Sequence, residues 1–174
     1  ASFGPEDDAS LANVEAITAA GAAGGVTIDL TGQTEAFDVT GSAHDDTRIG
    51  FTGGSKVDGG GGDDMLELTE DFGPVADGDL VGVETISAES YVSGDDTGLT
   101  IDLTGQTEDL RVIGSAYADI ITGGSGADTI VGFTTGDVVD GGSGEDTLDL
   151  VTSFDTPPAD PAISSVEITR SAPN

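Results

Sequence analysis

A period of nine residues, nested inside a longer duplication, limits the folds open to this chain more than any other property. Residues 114–149 divide into GSAYADIIT, GGSGADTIV, GFTTGDVVD and GGSGEDTLD, and residues 41–67 into GSAHDDTRI, GFTGGSKVD and GGGGDDMLE. Each unit reads as a six-residue turn followed by three residues of strand. Position 8 carries the apolar residue that alternation sends inward: Leu66, Ile121, Ile130, Val139 and Leu148. So short a unit cannot bury an apolar face alone, so repeating it implies a solenoid whose coils bury one another. The frame extends backward through GQTEAFDVT (32–40) and GQTEDLRVI (105–113). There Phe37, Val39, Leu110 and Val112 keep the strand alternation after the glycine pattern fades.

The longer duplication sets the domain plan. VTIDLTGQTEAF (26–37) matches LTIDLTGQTEDL (99–110), and GFTGGSKVDGGGGDDMLEL (50–68) matches GFTTGDVVDGGSGEDTLDL (132–150). Phe72 follows the first ending and Phe154 the second; the second copy is longer by one unit, GGSGADTIV. Outside the nines, Val14-Glu15-Ala16-Ile17, Val83-Glu84-Thr85-Ile86 and Val166-Glu167-Ile168-Thr169 recur as strands that bracket the two rolls. The expected division is a lead-in capping segment at 1–25, a first roll at 26–92 and a second roll with a C-terminal strand at 93–174. Residues 155–161 hold three prolines and read as a loop, and 77–79 and 94–96 as turns. Helical periodicity is weak; residues 9–23 are the one candidate helix, and a strand over 14–18 fits them at least as well.

Charge removes whole classes of partner. The chain has 34 acidic and 4 basic residues, a net charge of −30. Arg48, Lys56, Arg111 and Arg170 stand apart in sequence, which argues against nucleic acid and against anionic membranes. With no cysteine and one histidine, disulfide frameworks, thiol chemistry and ordinary zinc sites are excluded. His44 sits beside Asp45 and Asp46 with no marked nucleophile, so it reads as an exposed turn residue and the chain as a non-enzyme. No apolar run is long enough to span a membrane, and the first residues do not resemble a secretory leader. Phe37, Phe51, Phe72, Phe133 and Phe154 recur at matched places, which fits core packing better than a sugar-stacking stripe. The threonines of the two TIDLT stretches are too few for a flat ice-binding face.

The acids are 24 Asp and 10 Glu, a balance that suits turns and hard cations. Glycines at positions 1, 2 and 4 permit positive φ and leave backbone carbonyls uncovered, and the Asp at position 6 adds a carboxylate. Calcium suits such a set, since it takes six to eight oxygen ligands in irregular geometry. Three stretches, GGSGAD (Gly123, Gly124, Gly126, Asp128), GGSGED (Gly141, Gly142, Gly144, Asp146) and GGGGDD (Gly59, Gly60, Gly62, Asp64), resemble the GGxGxD nonapeptides of the RTX, or haemolysin-type calcium-binding, family. The resemblance covers about residues 26–169. It implies an all-β fold, a parallel β-roll or β-solenoid with two nonapeptides per coil and calcium between turn n and turn n+2. Carried onto this chain, it pairs Asp128 with Asp146, Asp119 with Asp137 and Asp46 with Asp64, with at least three Ca²⁺ ions expected. Ser55 stands where Asp belongs, so no full site is expected there. Asp45, Asp58, Asp63, Asp140 and Glu145 read either as additional ligands or as solvated acids.

Without metal, carboxylates stacked about 4.8 Å apart repel, so folding is expected to depend on calcium. That predicts an unfolded chain in calcium-poor cytosol and a folded one outside the cell. The family implies a bacterial protein exported unfolded, although residues 166–174 do not form a convincing export signal, which suggests a processed chain. The bracketing strands and the DTLDL ending resemble long RTX surface proteins, including surface-layer proteins and adhesins. The expected function is a secreted structural solenoid, self-associating head to tail into a surface layer, adhesin stalk or filament. The alternatives are a carbohydrate-binding accessory module and the secretion or folding tail of a larger enzyme. Part of the charge also fits plain solubility in high salt.

Overall fold

The computed structural model describes residues 1–4, 11–150 and 162–170. Phe154 and the loop at 155–161 lie outside the described residues. The chain opens with β1 (Ser2–Phe3) and β2 (Ala16–Thr18), so the segment left between helix and strand is a strand. The first set of nonapeptides lays down β3 (Thr27–Asp29), β4 (Asp38–Thr40), β5 (Thr47–Ile49), β6 (Lys56–Asp58) and β7 (Met65–Glu67). A junction carries β8 (Leu80–Val81) and β9 (Thr85–Ser87). The second set gives β10 (Thr100–Asp102), β11 (Arg111–Ile113), β12 (Ile120–Thr122), β13 (Thr129–Val131), β14 (Val138–Asp140) and β15 (Thr147–Leu150). Last come β16 (Ile163–Ser164) and β17 (Glu167–Arg170).

Apart from a break between β8 and β10, each strand pairs in parallel with the strand two places along, which is the connectivity of a solenoid coil. The odd strands form one sheet of nine, β1 to β17; the even strands form two sheets of four, β2-β4-β6-β8 and β10-β12-β14-β16. The chain is thus an all-β parallel solenoid. A three-residue strand turns its middle residue inward, and those residues stack in register: Ile86 on Val112, Val112 on Ile130, Ile130 on Leu148. All four are fully buried, and burying each contributes about 1.5–3 kcal/mol. Phe37, Phe51, Phe72 and Phe133 are buried as well, and the Phe51 and Phe72 rings meet edge to face at 5.0 Å.

The even side is interrupted between β8 and β10 by the segment that links β7 to β8. Phe72 bridges to Ile101 of β10, while β8 turns back to pair with β6. The Thr100 amide donates to Asp71 Oδ1, the Gln106 Nε2 to the Val75 carbonyl, and the Thr107 amide and hydroxyl to Asp77 Oδ1. This segment therefore underlies the second roll as a substitute coil. The first roll has a matching device, with Phe3 opposite Ile28. A Cβ on Gly4 or Gly73 would stand 2.0 or 1.9 Å from the carbonyl oxygen of Asp29 or Asp102, and both glycines have positive φ. Residues 3–5 and 72–74 both read FGP, so the duplicated unit begins well before the TIDL strands.

One basic residue lies in the interior. Arg48 occupies the inward position of β5, between Ile28 and Leu66, and is 5% exposed. Its Nε donates to the Gly50 carbonyl at 2.9 Å, its guanidinium lies 5.8 Å from the centre of the Phe51 ring, and burial lowers its pKa to about 10. Near it the interior divides into one apolar cluster from Val26 to Val39 and another from Phe51 to Leu150. The larger cluster runs through both copies, and β9 is bonded to β7 and β11 alike, so the two rolls share one sheet.

Candidate metal centre

Parallel coiling stacks the turns on two edges, and this brings the sequence-predicted carboxylates together in their predicted pairs. Asp46 lies one coil below Asp64 and Asp128 one coil below Asp146 on one edge; Asp119 lies below Asp137 on the other. In every pair the amide of the lower residue donates to Oδ1 of the upper: Asp46 to Asp64 at 2.7 Å, Asp128 to Asp146 at 2.8 Å and Asp119 to Asp137 at 2.8 Å. The lower acids in turn accept from Val26, Leu110 and Leu99. All six are buried. Ser55 is a neutral member of the same scheme, its Oγ taking the Phe37 amide at 3.1 Å. Glu84 extends the first ladder, with Oε2 accepting the Asp64 amide at 2.7 Å. Its signal in the sequence was the recurrent Val-Glu marker, which carries no glycine turn.

The second carboxylate oxygen divides the six into two groups. In four, Oδ2 takes an amide from within its own turn: Ser42 to Asp46, Ser115 to Asp119, Gly124 to Asp128 and Thr134 to Asp137. The hydroxyls of Ser42, Ser115 and Thr134 add bonds to Oδ1. In the other two, Asp64 and Asp146, Oδ2 is buried with no hydrogen-bond partner. The amides that would fill them, from Gly60 and Gly142, go instead to Asp58 Oδ1 at 3.1 Å and Asp140 Oδ1 at 3.2 Å.

Backbone conformation follows the same division. Gly60, Gly62, Gly142 and Gly144 have positive φ, as the repeat chemistry predicts, but Gly124 and Gly126 do not. Turning the Gly124 amide onto Asp128 holds that turn in ordinary backbone conformation. Its glycines are needed for close approach instead: a Cβ on Gly124 would be 2.5 Å from the Gln106 carbonyl oxygen, and one on Gly126 2.1 Å from that of Glu108. The leading glycines Gly59, Gly123 and Gly141 also lack positive φ, and a Cβ there would be 1.9, 2.1 and 2.2 Å from a carbonyl oxygen of the next coil.

Burial pushes the carboxyls of Asp64, Asp128 and Asp137 above the usual range. The Ser165 hydroxyl and the Gly142 amide hold Asp140 below it. Asp45 accepts the Asp63 amide at 3.0 Å, Glu145 is exposed, and His44 is exposed in its turn. Among the described residues no three acidic or histidine side chains gather at metal-ligand spacing, so a bound ion draws on backbone carbonyls as well. Buried unpaired carboxylate oxygens, set against glycines too crowded by carbonyls to carry a Cβ, fit calcium, a hard cation that accepts both donor types. Bound there, the ion supplies the positive charge that these stacked acids otherwise lack.

Parallel coils with Gly- and Asp-rich turns in register define a calcium-type β-solenoid. Residues 113–148 match the RTX calcium-binding nonapeptide repeat (4 copies), so this stretch of the chain carries RTX repeats. No curated protein and no solved structure gives a significant match. Among the described residues no helix is long and apolar enough to cross a membrane.

Proposed function

We propose that this calcium-binding repeat protein is a secreted, non-enzymatic bacterial building block that joins head to tail into a surface layer, adhesin stalk or extracellular filament. The observation that carries the reading is the treatment of the recurrent Val-Glu strands. Within the chain, β9 is hydrogen-bonded on both sides, by β7 and β11. Its counterparts β2 and β17 each have one neighbour among the described residues, β4 and β15. Neither has a second partner strand among the described residues, and the reading takes these two strands as the joining edges, since edges of short parallel strands are templates for another chain. Extracellular millimolar calcium favours the folded form by mass action, which links assembly to export.

The test is calcium titration of the chelated protein by circular dichroism, light scattering and electron microscopy, with magnesium as control. A transition to β structure followed by growth into linear particles is expected. A folded calcium form that stays monomeric at high concentration would remove the assembly reading.

A further inference from the structure

We propose that residues 11–19 form a socket for a second copy of this chain, with Leu11 and Ala12 opposite Ile163 and Ser164 of that copy and β2 laid along its β17, Ile17 opposite Ile168. The inference rests on the head-to-tail reading and gives it a register.

The pattern comes from a joint that the chain already contains. Residues 2–18 align without a gap to residues 71–87, which connect the two rolls. Phe3-Gly4-Pro5 falls on Phe72-Gly73-Pro74, Leu11 on Leu80, Val14-Glu15 on Val83-Glu84 and Ile17 on Ile86. The backbone repeats as well: Gly4 and Gly73 have φ of 97° and 87°, and Asn13, an uncommon residue at positive φ, matches Gly82 at 63° and 59°. Toward the following roll the hydrogen bonds are the same. The Glu15 and Glu84 carbonyls accept from the amides of Asp38 and Arg111, and the Ala19 and Ala88 amides donate to the carbonyls of Thr40 and Ile113.

The joint has a second side, toward the roll before it. Backbone groups alternate in direction along a strand, so Thr85 and Ser87 turn that way: the Thr85 amide donates to the Asp64 carbonyl and the Ser87 carbonyl accepts from Leu68. Ala16 and Thr18 turn their backbone groups the same way, and among the described residues no strand stands beyond them. Burial shows the same difference. Leu80, Val83 and Ile86 are 2%, 5% and 0% exposed, whereas Leu11, Val14 and Ile17 are only half-buried at the end of the smaller apolar cluster. Residues 11–19 thus combine the conformation of a joint with the burial of an end.

The occupant that fits is the other end of the molecule. β16 and β17 follow the last nonapeptides as β8 and β9 follow theirs: Ile163 stands opposite Val139 as Leu80 stands opposite Val57, and Ser165, at φ 54°, takes the place of Gly82. The Glu167 amide donates to the Asp146 carbonyl as Thr85 does to Asp64, so the backbone groups of Ile168 and Arg170 turn away from β15. Ile163 and Val166 are half-buried against the larger apolar cluster. One end therefore offers strand groups and apolar side chains forward and the other offers them backward. The internal joint supplies the register: Met65 opposite Thr85 becomes Glu167 opposite Ala16 of the next copy.

The chain has no cysteine, so paired cysteines report the register directly. Ala16→Cys combined with Glu167→Cys puts the two Cα atoms about 4.8 Å apart across the joined strands, within disulfide reach. Oxidation in calcium is expected to give a ladder of covalent oligomers on non-reducing gels. Ala16→Cys combined with Thr147→Cys, one strand further away, is expected to give no ladder. Thr18→Pro removes the amide that Thr18 turns to the socket; it is expected to keep the parent's β circular dichroism in calcium and to abolish its growth in light scattering. Growing particles without the ladder, or growth of Thr18→Pro equal to that of the parent, would overturn this register and leave head-to-tail joining standing. A parent chain that stays monomeric in calcium would overturn both.

Discussion

The two rolls have nearly the same repeat but different interiors. In the second, Val112, Ile130 and Leu148 stack without a break, and on the opposite sheet Ile121 faces Val139. In the first, Arg48 interrupts the matching column between Ile28 and Leu66, and Ser55 replaces an acid on the edge. A buried cation with no carboxylate partner among the described residues is a cost that the first roll carries and the second does not. The difference teaches that a solenoid tolerates a faulty coil when good coils cover it on both sides, because each coil is supported only by its neighbours.

Calcium removal is the severest way to test that contrast. After chelation, amide exchange is expected to rise first over residues 38–58 and later over 111–140, as followed by mass spectrometry. Simultaneous loss would mean that the shared sheet makes the rolls one cooperative unit regardless of Arg48. Next in size, Phe72→Ala should cost about 3–5 kcal/mol in a denaturant titration, since this fully buried ring touches Phe51 of the first roll and bridges to β10 of the second. A loss below about 1 kcal/mol would show that the substitute coil does not tie the rolls together. Arg48→Leu should stabilise the protein by about 1–4 kcal/mol and bring exchange in the first roll toward that of the second. A destabilised variant would make the arginine a structural asset.

The smallest effect expected is that of pH on the calcium-free protein. Asp64, Asp128 and Asp137 have folded-state pKa values raised above the ordinary carboxylate range, chiefly by burial. The folded chain therefore holds these protons more tightly than the unfolded one, and stability falls as pH rises from the ordinary carboxylate range through the raised values. Thermal melts in chelator should show a midpoint that falls as pH is raised above the ordinary carboxylate range, with the change larger in the second roll, which holds two of the three groups. A lower midpoint in acid would mean that hydrogen-bonded acids such as Asp140 dominate.

Much of this was legible in the sequence because a nine-residue period admits few packings. The period itself implies a solenoid with position 8 inside; the coil of two nonapeptides, and with it the three acid pairs, came from the resemblance to the RTX repeats. Arg48 is position 8 of GSAHDDTRI, so the frame already placed it inward; what the sequence did not show is how a guanidinium is held there, by the Gly50 carbonyl and the Phe51 ring. The ordinary backbone of Gly124 and Gly126 was hidden for a different reason: the deciding residue, Thr122 in place of Asp, lies before the motif. Glu84 was visible only as part of a strand marker, and the FGP segments only as short matches far from the nonapeptides.

The extra nonapeptide in the second copy works as a parity device. Strands alternate between the two sides, so an odd count of strands from one Val-Glu marker to the next turns the following unit over and an even count does not. Seven steps separate β2 from β9, which lie in opposite sheets; eight separate β9 from β17, which share one. The two ends of the molecule therefore present their marker strands on opposite faces. Copies joined through those strands would each be rotated by about half a turn from the last, so that any surface on one side of the first copy reappears on the far side of the second and returns with the third.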